Sequence, residues 1–110
     1  MNVQILLGNG DWTFRTGPTL NVATIPWGLA GGDFNGDGNV DLLVMEQTKL
    51  SLYPGAGDGS FLPPVNLVTG TFWMQVAFGD FNGDGKADVV VLDSVVNGAG
   101  GVKVLLGNGE

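Results

Sequence analysis

Two nine-residue stretches, "DFNGDGNVD" (33–41) and "DFNGDGKAD" (80–88), carry oxygen-bearing side chains at alternate positions. In a loop of the form D-x-[DN]-x-[DN]-G, alternate side chains point inward, and the glycine permits the turn. Asp33, Asn35 and Asp37 fill positions 1, 3 and 5, and Gly38 is the turn glycine. Asn39 would offer its backbone carbonyl at position 7, and Asp41 stands at position 9. The second stretch supplies Asp80, Asn82, Asp84, Gly85, the carbonyl of Lys86, and Asp88. All the donors are hard oxygens, with three carboxylates in each loop, which favours Ca²⁺ over Zn²⁺ or Cu²⁺. Mg²⁺ suits the loops less well, because it wants a strict octahedron and retained water. The expectation is one Ca²⁺ per loop, two per chain. Asp, Asn and Gly also make good turns without any ion, but a matched pair of loops argues for more than turn chemistry.

The loops are not EF-hands. Position 12 of an EF-hand is a bidentate Glu, and here it is Val44 or Val91. A helix should follow, and instead "VDLLVME" and "ADVVVLD" read as strands. A dockerin-like helical repeat fails for the same reason. A nonapeptide β-roll needs back-to-back repeats, and these loops are isolated.

Charge supports a cation partner. The 110 residues carry a formal net charge of −7, from 4 basic and 11 acidic residues. The two loops hold six Asp and one Lys, a net −5, which leaves −2 for all the rest. There is no basic stripe to meet phosphates, so nucleic acid is not an expected partner. Cysteine and histidine are absent, which removes disulfides, thiolate metal sites and the Ser-His and Cys-His dyads. Most acids are committed to the loops, Asp11 and Asp58 read as turn residues, and Glu46, Asp93 and Glu110 form no evident pair. Catalysis is therefore not expected. No apolar run reaches the length of a membrane span, and "MNVQILLGNG" lacks the basic region and apolar core of a signal peptide.

The elements that position the loops emerge from self-similarity. Asp33 and Asp80 are 47 residues apart, as are "VQILLGNGDWTF" from Val3 and "LSLYPGAGDGSF" from Leu50. "VKVLLGNGE" begins at Val102, 52 residues after Leu50, and the extra five residues are assigned to the Gly-rich "SVVNGAGG" (94–101). The repeat units are about 3–49 and 50–101, with an extra strand at 102–107, in one domain spanning 1–110. Each unit reads as four short strands: A before the acidic loop (27–33, 73–80), B after it (40–46, 87–93), then C (3–8, 49–55, 102–107) and D (14–22, 61–68). "DLLV" and "DVVV" lack polar alternation, so both faces of the B strands are expected to be covered. Four strands per period of 40–50 residues is the pattern of a β-propeller blade. The predicted fold is all-β, about two four-stranded blades, entering and leaving in mid-blade.

"GDFNGDGNVDLLV", "GDFNGDGKADVVV" and "VQILLGNGDWTF" resemble FG-GAP/VCBS repeats, the blades of integrin α-subunit-like propellers, over nearly the whole chain. The resemblance implies Ca²⁺ in the A–B loop, and it falls on the residues that spacing had already picked out. It also implies an extracellular or cell-surface setting and a binding or scaffold role. Family propellers usually have about seven blades, whereas this chain holds two.

Two blades would leave apolar faces in water, so a homo-oligomer completing a ring is expected, as a trimer or tetramer, with a dimer as the tight case. A fragment excised or engineered from a larger propeller, with no activity of its own, is a further alternative that fits the duplicated ends. A carbohydrate-binding propeller is the alternative function, with Trp12 as the candidate platform. Its counterpart in the second unit is Gly59, and a large aromatic at a hairpin tip is expected to be exposed. Trp27 and Trp73, on the A strands, are expected to pack in the core or between blades.

Overall fold

A computed structural model describes residues 1–69, 73–93 and 100–107. All regular structure among them is strand: β1 (Asn2–Gly8), β2 (Phe14–Asn21), β3 (Pro26–Gly32), β4 (Asp41–Glu46), β5 (Lys49–Tyr53), β6 (Val65–Thr69), β7 (Trp73–Gly79), β8 (Asp88–Asp93) and β9 (Gly101–Leu105). They form three antiparallel sheets: the hairpin β1-β2, the four-stranded β3-β4-β5-β6, and the three-stranded β7-β8-β9. Every neighbour in a sheet is also the neighbour in sequence. Such all-local pairing is what short strands joined by Gly, Asn and Asp turns produce. The stacked sheets are consistent with propeller-like blades.

The hairpin and the third sheet lie on opposite faces of the middle sheet. On one side, Leu43 and Met45 of β4 and Leu50 and Leu52 of β5 pack with Val76, Val89 and Val91 of the third sheet. On the other side, Val44 and Tyr53 pack with Val22, Val3, Leu20 and Phe61. β4 thus buries consecutive residues, Leu43 to Glu46, because alternate side chains meet different sheets. The expectation that B strands are covered on both faces holds for β4. It fails for β8, where Val89 and Val91 are buried but Leu92 is 40% exposed. Nothing among the described residues lies over that outer face.

Strand D of the middle sheet begins later than the sequence suggested. β6 starts at Val65 rather than Phe61, because Pro63 and Pro64 have no N–H to give to the ladder. Phe61 instead makes a single bridge to Gly55. In the hairpin, Pro18 is accommodated at a bulge, where the register shifts between Gln4 and Leu6. Most of the 94–101 insertion and the side chain of Trp73 lie outside the described residues. Trp27 is 59% exposed rather than packed between sheets. It sits on β3, on the side of the middle sheet where the two-stranded hairpin covers only β4 and β5.

Candidate functional site

Both acidic loops connect an A strand to a B strand, β3 to β4 and β7 to β8. They have the same internal construction. In the first, Asp33 Oδ1 accepts the N–H groups of Gly36 (2.8 Å) and Asp37 (3.2 Å), and Oδ2 accepts that of Gly38 (2.9 Å). Asn35 Oδ1 accepts from Asp37 N–H at 3.1 Å, and the Asn35 amide donates to Asp37 Oδ2 at 3.2 Å. Asp37 Oδ1 accepts from Asn39 N–H at 2.8 Å.

In the second loop Asp80 accepts from Gly83 (2.8 Å), Asp84 (3.1 Å) and Gly85 (2.8 Å). Asn82 bonds Asp84 at 3.3 and 3.2 Å, and Asp84 accepts from Lys86 N–H at 2.9 Å. Gly38 and Gly85 take φ of +85° and +81°, the conformation that the sequence assigned to the turn glycines. The backbone amides of Asn39 and Lys86 hold the carboxyls of Asp37 and Asp84 below the usual carboxylate range.

Hydrogen bonds thus link the residues of positions 1, 3 and 5 within each loop, whereas the expected position-9 ligands Asp41 and Asp88 are buried on backbone amides instead. No cluster of three or more acidic side chains already poised around one point occurs among the described residues. The donor set nevertheless suits a hard cation. Each carboxylate has about four acceptor directions, and the backbone uses three on Asp33 and one on Asp37 Oδ1. Acceptor directions remain on the Asp37 carboxylate, and one on that of Asp33, and both groups offer hard oxygens of the type Ca²⁺ prefers.

Asp41 and Asp88 do something that spacing does not reveal. Both are fully buried. Asp41 Oδ2 accepts from Phe34 N–H at 2.9 Å, and Oδ1 accepts from Gly55 N–H, fourteen residues away, at 2.8 Å. Asp88 likewise joins Phe81 N–H (2.9 Å) and Gly107 N–H (2.8 Å). Each carboxylate ties the start of its own loop to the end of a C strand. The approach is close enough that only glycine fits. A Cβ on Gly55 would lie 2.0 Å from the Val40 carbonyl oxygen, and one on Gly107 would lie 1.9 Å from that of Ala87. The repeated glycine after each C strand was the available sequence signal for this tie.

Trp12 occupies the β1–β2 turn. It is 96% exposed, and its φ of +70° makes it the one non-glycine with positive φ among the described residues. The turn is held by Asn9 N–H donating to the Thr13 carbonyl (2.9 Å) and by Thr13 N–H donating to Asp11 Oδ1 (3.0 Å). Beside it is a shallow hollow of about 350 Å³ lined by Gly8, Gly10, Trp12, Thr13 and Phe14. The equivalent β5–β6 turn is built the same way, from Ala56, Asp58 and Ser60.

Nothing among curated proteins or solved structures matches the chain in a search of either. The sequence model of the FG-GAP-like repeat does match, over residues 1–44 and 33–91. The first match takes in the loop at 33–41, and the second takes in both acidic loops. The chain belongs to the FG-GAP-like repeat family.

Proposed function

We propose that the protein is a calcium-stabilised β-propeller repeat module that acts as a binding or scaffold domain and assembles into a larger ring. The observation that carries this reading is the pair of A–B loops with matching oxygen donors at matching positions. Asp33, Asn35, Asp37 and the Asn39 carbonyl would hold one ion. Asp80, Asn82, Asp84 and the Lys86 carbonyl would hold the other, with Asp41 and Asp88 closing each loop onto its strand. The ion would neutralise carboxylates that otherwise repel one another and would hold each A–B connection in one shape. The role is non-catalytic, supported by the absence of His and Cys and by the commitment of Asp11 and Asp58 to hairpin turns. An extracellular setting accords with where FG-GAP repeats are typically found, and no helix among the described residues is long and apolar enough to cross a membrane.

Isothermal titration of the chelated protein with Ca²⁺ tests the reading. Two equivalents per chain are expected, with stabilisation of about 2.7 kcal/mol per site at a hundredfold excess over Kd. A flat titration with no change in Tm overturns it. A glycan-binding version is favoured by one observation, the strained and exposed Trp12. Sugars stack on such rings, and a glycan array that responds to the protein but not to Trp12→Ala would support it.

A further inference from the structure

The internal joints of the stack show what its outer faces are shaped to meet. At the joint between the middle and third sheets, Leu43, Met45 and Leu50 are fully buried, and Phe34 and Leu52 are 8% exposed. Their counterparts on the third sheet are Val90, Leu92, Val102, Phe81 and Val104. Leu92 is 40% exposed, Val104 49%, Phe81 55% and Val102 65%. The same apolar face is therefore made twice and covered once.

The other end of the stack carries the complementary half. Tyr53 and Phe61, on the side of the middle sheet that receives the hairpin, pack against Val3 and Leu20. One repeat earlier their counterparts are Leu6 and Phe14, which are 58% and 62% exposed. The turn contact repeats as well. Gly59 lies so close to Leu7 that a Cβ there would be 2.8 Å from the Leu7 side chain. The counterpart of Gly59 is Trp12, and that of Leu7 is Leu106, which is 64% exposed. Both halves of one joint are thus present and uncovered, on opposite ends of the same chain.

From this we infer that the outer face of β7-β8-β9 is covered by the β1-β2 hairpin of a second copy of this chain, head to tail, with Trp12 of one copy on Leu106 of the next. The inference rests on the propeller-repeat reading but not on calcium. The covering element need be no larger than a hairpin, because β1-β2 already covers Val44 and Tyr53 within the chain. The contact is heterologous, one surface against a different one, so copies add in one direction and the series either closes into a ring or extends. Trp12 is suited to the joint: it is a large, almost fully exposed aromatic at the tip of its hairpin, and Leu106 is itself exposed.

The test uses the 110-residue chain, which has no cysteine of its own. Light scattering is expected to give a mass of at least twice the 11.4 kDa of one chain. Val104→Glu, on the outer face, should weaken self-association about tenfold or more while leaving the strand signal in circular dichroism unchanged. Under oxidation, Trp12→Cys with Leu106→Cys should give covalent multimers, and an equimolar mixture of the two single variants should give a covalent dimer. A chain that is monomeric at every concentration overturns the inference. So does efficient dimer formation by Leu106→Cys alone, which would mean face-to-face pairing. A monomer that still binds two Ca²⁺ defeats the joint, and ring assembly with it, but leaves the calcium-stabilised repeat module of the proposed function standing; a cross-linked ring that binds none keeps the joint and defeats the calcium.

Discussion

The two acidic loops are nearly identical inside and differ outside. Residues 33–41 and 80–88 share every loop hydrogen bond, with lengths agreeing to within 0.2 Å. Yet Phe34 is 8% exposed and Phe81 is 55% exposed. Phe34 meets Phe78 edge to face, with ring centroids 5.0 Å apart, whereas the outer side of Phe81 has no described sheet above it. Loop shape is therefore local, set by Asp, Asn and Gly acting on their own backbone. Loop burial is a property of the stack.

Separating those two causes gives the sharpest experiments. Asp41→Ala should have the largest effect. It leaves the Phe34 and Gly55 N–H groups buried and unpaired, and should cost about 4 kcal/mol. Asp88→Ala leaves a matching pair in a wetter setting and should cost about half as much. Equal losses in chemical denaturation would show that the two loops share one environment. Next, Phe34→Ala should cost about 3 kcal/mol as a core truncation, and Phe81→Ala under about 1 kcal/mol. If the third sheet's outer face is covered by another copy, the Phe81→Ala cost should grow with protein concentration, which makes the comparison a gauge of assembly.

Acid should act mainly through Glu46, a group that the loops lack. Its carboxylate is fully buried. It accepts from Thr24 N–H and Oγ1 at 2.9 Å and meets Lys49 at 3.2 Å. Burial pushes its pKa up, but the Thr24 hydrogen bonds and Lys49 outweigh burial and leave it below the usual carboxylate range. A depressed folded pKa gives stability that is present above the unfolded value and lost as pH falls through the folded one. The Tm should therefore drop below about pH 4.5, and Glu46→Gln should flatten that drop. Asp37 and Asp84 titrate in the same direction, so some slope should remain; an unchanged slope would remove Glu46 from the account.

The smallest effect expected is at the β1–β2 turn. Trp12→Gly, which restores the residue found at position 59, relieves a left-handed backbone worth about 1 kcal/mol. The folded chain should gain slightly in Tm when dilute while self-association weakens. Opposite signs from one substitution would separate backbone strain from contact.

What the sequence made legible follows the same division. The period of 47 residues, the strand order and the turn glycines Gly38 and Gly85 could be read because each depends on local sequence. The start of β6 was misread because strand propensity in "FLPPV" ignored two missing N–H donors. The tie from Asp41 to Gly55 was missed because spacing within a loop says nothing about a strand end fourteen residues on. The bareness of Leu92 was missed because "DVVVL" and "DLLVM" are equally apolar, and only stacking tells a middle sheet from an outer one.

The tie between Asp41 and Gly55 has a consequence for how such repeats diversify. Both of its acceptor bonds go to main-chain amides, so it recognises no neighbouring side chain at all. A duplicated unit can change its aromatic, its loop lysine or its hairpin tip, as Trp12 and Gly59 show, and keep the same fastening with one aspartate and one glycine. The fastening is a standard fitting, indifferent to the cargo of the unit it closes.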